Sequence, residues 1–249
     1  MVIVSQVQSD GLKLKKTPFF LLHLLVPLIG ILTFFTYQII SQRNANYLVI
    51  NFCQVLSLIY PIIIAWVTTL VADQEIEASG GFFILNAVSR KQVLLSKHFY
   101  LLIFGLLACA FAVLGYHFLN VLLTLNYSLQ TTRILQMLII IFSCSIFQYF
   151  LHMMLALYVG GNVSFAVAVV EVLVSALMLT GLGELIWIFF PSAWGVRLIS
   201  LITTFIRRDV LLNYLQLSQI FLVMGAVTLI MMIILFLSLD KWEGRKNEE

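Results

Sequence analysis

Six stretches of this chain are apolar over the length of a bilayer crossing, and one long polar interval, residues 73–98, parts the second from the third. About 20 apolar residues cross a hydrocarbon core as helix. The windows 18–40, 47–72, 99–125, 134–159, 163–183 and 218–239 meet that length, and only the fifth holds an acid or a base, Glu171. In lipid every backbone N–H and C=O needs an internal partner, so such segments cross as helices. Pro27 and Pro61 fall inside two of them, where neighbouring helices can satisfy the freed groups. The expected fold is all-α and integral to the membrane, a single domain over residues 1–249 with six transmembrane helices. Composition agrees. Apolar residues make up 62% and charged residues 10% of the chain, against roughly 45–50% and 25% in soluble domains. No stretch is left over for a separate soluble core. The basic residues sit at helix ends and form no stripe, so nothing points to nucleic acid.

Lysine placement gives the orientation. With residue 1 on the cytoplasmic side, all seven lysines lie inside, at positions 13, 15, 16, 91, 97, 241 and 246. The residues placed outside are Arg43, Arg133, Arg197, Arg207 and Arg208. Positive charge collects on the cytoplasmic side of membrane proteins, so both ends of the chain and the 73–98 loop are expected there. Residues 194–206 are apolar but too short to span, and Arg197 sits among them. Runs of 10–14 are more often re-entrant or interfacial. Residues 184–217 are accordingly read as an outer segment carrying a dipping or surface-lying helix. A seventh crossing is the rival reading. The first apolar run is too long for the core of a cleaved signal peptide, and no small-residue cleavage site follows it.

The polar interval has its own structure. Ser89 with Gln92 three residues on fits a capping box, which starts a helix at Arg90 running into the third span. Ahead of it, Phe82, Phe83, Leu85 and Val88 suit a short helix begun after Gly80 and Gly81. Asp73, Glu75 and Glu77 place negative charge at the end of the second span, where lipid headgroups do not favour it. A soluble partner is one reading, and an ordinary solvated connector is the other. Residues 1–17 combine Val2, Ile3, Val4 and Val7 with Lys13, Lys15 and Lys16, a pattern suited to an interfacial helix whose lysines reach anionic lipid.

Catalytic patterns are missing. The sequence contains no phosphate-cradling Gly-x-x-x-x-Gly-Lys-[Ser/Thr] run, no His-Glu-x-x-His and no nucleophile elbow. Cys53, Cys109 and Cys144 lie in apolar spans with no metal-ligand spacing, so no metal site or disulfide framework is expected. The expectation is a chain that is not an enzyme and holds no cofactor. Glu171 is the one acid at membrane depth, where a charge costs about 3 kcal/mol on insertion scales. Spans four and five are joined by the short turn Gly160, Gly161, Asn162. Counted from that turn, His152 and Glu171 both lie roughly 13–15 Å along their helices at 1.5 Å per residue. A facing His152–Glu171 polar pair follows as a hypothesis, with structural, proton-relay and cargo-contact roles left open. His23 and His117 read as helix–helix contacts. Trp187, Phe189, Phe190 and Trp194 read as an outer aromatic belt or as a platform for cargo.

The layout and motifs resemble the permease subunits of type 2 ABC transporters. The residues that carry the likeness are Lys13, Lys15, Lys16 and Thr17, with Asp10 as the preceding acid. Glu75, Glu77 and Gly80, then Ser89–Arg90 and Ser96–Lys97 leading into the third span, complete it. Val88 stands where relatives often carry proline. The Lys-x-Lys-Lys-Thr start and the outer residues Phe190, Pro191, Ser192, Ala193 and Trp194 look most like lantibiotic-immunity permeases of the MutG type. That resemblance implies a subunit of an exporter in the bacterial cytoplasmic membrane that expels a membrane-active antimicrobial peptide and so protects the producing cell. It also implies a separate ATPase dimer that binds ATP and Mg, and a second permease subunit, identical or a sister. The ATPase would couple through the 73–98 loop, with Glu75, Glu77, Phe82, Phe83, Ser89, Arg90 and Lys97 as its contacts. Trp187, Phe190, Trp194 and Arg197 are the outer-face candidates for cargo. The alternatives are an exporter of a drug, lipid or polysaccharide, and a non-transporting assembly or sensor module.

Overall fold

The computed structural model describes residues 2–87, 89–184, 186–208 and 214–244. Its regular elements are helical, with no strand among the described residues. In chain order they are α1 (Val2–Leu14), α2 (Phe19–Ser41), α3 (Ala45–Ser79), α4 (Phe82–Leu85), α5 (Arg90–Leu123), α6 (Thr131–Tyr158), α7 (Gly161–Met178), α8 (Trp194–Arg208) and α9 (Tyr214–Ser238). Three 3₁₀ turns, Gly181–Gly183, Trp187–Phe189 and Pro191–Ala193, link α7 to α8. Six helices are long and apolar enough to cross a bilayer: α2, α3, α5, α6, α7 and α9. The protein is a multi-pass membrane protein. At 15 residues α8 falls short of a crossing.

The bundle is built round α3 and α6, which are the most buried spans, while α2, α7 and α9 lie at its periphery. Leu24, Ile29 and Leu32 on α2, Val170 and Leu173 on α7, and Leu222 and Ile230 on α9 are exposed. A soluble protein seldom exposes so much contiguous apolar surface, whereas a bilayer covers it. Pro27 and Pro61 stand inside unbroken helices.

Two boundaries differ from the apolar windows. Past residue 72, α3 runs on to Ser79 through Asp73, Glu75 and Glu77, because Gln, Glu and Ala are good helix formers whatever their polarity. Thus α3 and α5, of 35 and 34 residues, are each about 50 Å long and outreach the roughly 30 Å hydrocarbon core. The true connection is the stretch 80–89 raised on their ends, in which Val88, expected in the short helix, lies outside the described residues. Gly80 and Gly81 both have positive φ, 61° and 84°, conformations that glycine adopts without a Cβ clash, and they reverse the chain into the single turn α4. Ser89 then caps α5 as its sequence predicts, accepting from the Gln92 N–H at 3.4 Å. At the other boundary α7 ends at Met178, short of residue 183.

Helix α1 and the residues just after α9 lie beside this turn. Arg90 Nη1 donates to the carbonyls of Leu239 and Trp242 at 3.1 and 2.8 Å, and Lys91 pairs with Asp240 at 2.9 Å. Near the other end of the chain, Tyr100 donates to the Val7 carbonyl at 2.9 Å, which docks α1 on the first turns of α5.

Candidate functional site

Two polar constructions stand out from the apolar bundle. The first lies at the end shared by α1, the 80–89 turn and the residues after α9. Here α1, α3 and α5 each contribute charge. Glu75 Oε1 accepts from Lys97 Nζ at 2.7 Å and from Lys13 Nζ at 2.8 Å. Asp10 accepts from Ser96 Oγ at 2.6 Å and pairs with Lys97 at 3.5 Å. Two carboxylates thus meet two ammonium groups, so the cluster balances its own charge. Asp10, Glu75 and Lys97 are 1–3% exposed, and a buried charge is tolerable only when it is paired and hydrogen-bonded.

That burial corrects part of the expected docking surface. Glu75 and Lys97 face inward to clamp three helices together and are closed to a soluble partner. Ser89 is engaged as the cap of α5, and Arg90 is tied to the carbonyls that follow α9. What the turn does present outward is Phe82 and Phe83, at 61% and 56% exposure, with Glu77 exposed nearby. Lys13 sits 5.0 Å above the Phe83 ring, a cation–π arrangement that fixes the ring's outward pose.

The second construction lies in the interior. His152 on α6 and Glu171 on α7 meet at 2.9 Å, Nε2 to Oε2, and His152 Nδ1 contacts Ser164 Oγ at 3.0 Å. Both ring nitrogens are therefore occupied. The Gln148 amide, turned to suit its neighbours, donates to Glu171 Oε1 and Oε2 at 3.0 and 3.1 Å and accepts from the Ser192 N–H at 3.1 Å. Ser192 Oγ also donates to the Glu171 carbonyl at 3.4 Å. The link after α7 consequently returns to meet residues midway along α6 and α7. A Cβ on Gly195 would meet Ser57 and Cys144, each about a dozen residues into its helix. The Glu171 carboxylate is held by two side chains, His152 and Gln148, and the Glu171 side chain keeps 15% of its surface exposed.

The outer aromatics are a correction too. Trp187 and Trp194 are 8% and 1% exposed, and Trp194 Nε1 donates to the Ile188 carbonyl at 2.7 Å. They fill the packing under the link and do not face a rim or a cargo. Phe190 is half-buried, and Arg197 reaches back to the Leu179 carbonyl at 3.4 Å. Phe189, 77% exposed, is the aromatic of this group that points outward. Arg207 and Arg208 lie where side chains are not described.

Several polar contacts lie outside the sequence-predicted sites. Gln38 on α2 donates to Asn120 on α5 and to Thr124 just past its end, at 2.7 and 3.1 Å, and accepts from Tyr116 at 2.7 Å. His117 bridges the hydroxyls of Tyr127 and Thr131 at 2.6 and 3.1 Å. Gln and Asn inside long apolar windows were the available signal, since such groups need partners in lipid. His23 contacts the Phe19 carbonyl at 2.7 Å within a cluster of rings. The three cysteines are free and buried. An apolar cleft of about 90 Å³ lies among α2, α3 and α5, lined by Val26, Phe34, Ile59, Trp66 and Cys109. Among the described residues no group of His, Cys, Asp and Glu is arranged to hold a metal. No protein-family model, curated protein or solved structure matches the chain.

Proposed function

We propose that this protein is the permease subunit of an ATP-driven exporter of the ABC type 2 class in a bacterial cytoplasmic membrane. Its cargo is a membrane-active antimicrobial peptide of the lantibiotic kind, and its role is self-protection of the producing cell. The observation that carries the reading is the Phe82–Phe83 turn. It is an apolar pair raised clear of the bundle on two over-long helices, at the end where α1 and the residues after α9 also gather. Such a feature suits a groove on a soluble motor. The motif likeness over residues 10–17 and 75–97 supports the same reading, in which ATP and Mg bind that separate motor, since this sequence has no phosphate-cradling run of its own.

In this reading the turn-bearing end is cytoplasmic. The ion cluster of Asp10, Lys13, Glu75 and Lys97 makes α1, α3 and α5 one lever, so force applied at the turn reaches three helices together. On the opposite side, the link held by Glu171, Gln148 and Ser192 is the part placed to move when the lever tilts. A second permease, identical or a sister, completes the membrane unit. Survival of cells with and without the gene, challenged separately with a lantibiotic, a cationic drug and a detergent-like lipid, tests the cargo. The lantibiotic alone should become more toxic on deletion. Equal sensitivity to all three, or to none, would contradict this assignment.

A further inference from the structure

A groove of about 560 Å³ runs between α1, the first turn of α2 and the stretch of α5 from Tyr100 to Phe104, and its layout is that of an amphiphile. One wall is a single face of α1, where Gln8, Gly11 and Leu12 follow the i, i+3, i+4 spacing that lines up side chains on a helix, continued by Lys15 in the turn just past its end. The floor is aromatic. Phe20 meets Phe104 edge-on at 4.8 Å, and Tyr100 stacks parallel to Phe104 at 6.2 Å. These rings belong to the opening turns of two membrane spans, so the floor extends from the headgroup level toward the hydrocarbon. Gly11 makes the arrangement possible, because a Cβ there would strike the Tyr100 hydroxyl that anchors α1.

Charge gives the groove its polarity. No acid lines it. Lys13 and Lys97 are neutralised by Glu75 and Asp10 on the opposite face of α1. Lys15, by contrast, is exposed and forms no ion pair among the described residues. Gln8 stands two helical turns, about 10 Å, away along the same wall. A cation at the rim, with stacked rings running on from it, matches a phosphate carried on a glycerol and acyl chain. We infer that this groove is a binding site for one anionic glycerophospholipid, with its phosphate at Lys15 and its chain along Phe20 and Phe104. Free phosphate would use only the rim and leave the rings uncovered, so the lipid is the occupant that fits the whole site.

The test is native mass spectrometry of the full-length chain in neutral detergent, titrated with phosphatidylglycerol, with phosphatidylcholine of the same chains, and with glycerol 3-phosphate. Phosphatidylglycerol should saturate at one molecule per chain, phosphatidylcholine should bind at least fivefold more weakly, and glycerol 3-phosphate should leave no adduct. Lys15→Gln should weaken phosphatidylglycerol about fivefold, the worth of one lysine near an anionic surface. Lys16→Gln, on a neighbouring exposed lysine outside the groove, should change it less than twofold. Equal losses in the two variants, equal binding of both lipids, or a Lys15-dependent glycerol 3-phosphate adduct would each overturn the assignment.

Discussion

A few charged side chains decide more in this protein than their number suggests, because they sit where water is scarce. Glu75 is the clearest case. It anchors Lys97 and Lys13, and Lys97 is itself only 3% exposed. Removing one partner of a buried pair costs on the order of 3 kcal/mol, since the other charge stays behind unpaired. Glu75→Lys should therefore lower the melting temperature in detergent sharply and reduce yield, whereas Glu77→Lys, on the exposed side of the same turn of helix, should leave both unchanged. Similar losses for the two variants would contradict the inward role of Glu75. At membrane depth, His152 and Glu171 form a pair whose coupling a double-mutant cycle reads directly. His152→Ala and Glu171→Ala should show a favourable interaction of about 1 kcal/mol, near the upper part of the range for polar contacts within membranes. Additive effects would show that Gln148 alone satisfies the carboxylate.

At the scale of elements, the turn after α3 divides into parts that hold it and parts that it displays. Gly80, Gly81, Ser89 and Arg90 shape and fasten it, and Phe82 and Phe83 are displayed. Phe82→Ala with Phe83→Ala should leave the melting temperature within about a degree and abolish co-purification of the ATPase proposed above. A loss of stability equal to the loss of partner would instead make the pair structural. How much of this was legible beforehand follows from range in the chain. Ser89 and Gln92 announce the start of α5 because capping is local, and His152 with Glu171 could be matched in depth because so short a link between α6 and α7 leaves the two helices little freedom of register. The burial of Glu75 was not legible. Its partners Lys13 and Lys97 stand 62 and 22 residues away, and only the docking of α1 brings them together. Nor was the clamp of Gln148 and Ser192 on Glu171, which depends on the path of the link after α7. The buried tryptophans misled for the same reason. An aromatic cluster near a helix end looks alike in sequence whether it faces a headgroup layer or fills the space beneath a returning chain.

The whole molecule is a bundle with its polar capital at one end and its periphery dressed for lipid. α3 and α6 carry the packing, and α2, α7 and α9 offer wide apolar faces. In the proposed exporter some of that surface meets a second permease and the rest meets acyl chains. The cluster of Asp10, Lys13, Glu75 and Lys97 ties α1 to two spans, and in the proposed exporter a push at the 80–89 turn becomes a displacement of the bundle. The central claim is that this turn is gripped by a soluble ATPase. It is tested most directly by a photo-crosslinking residue placed at position 82 in cells that carry the gene at its natural locus, with position 123 at the far end of α5 as control. The account predicts a position-82 crosslink to a polypeptide bearing a phosphate-cradling Gly-x-x-x-x-Gly-Lys-[Ser/Thr] loop, and none from position 123. Crosslinks from position 82 to lipid or to extracytoplasmic proteins would contradict it.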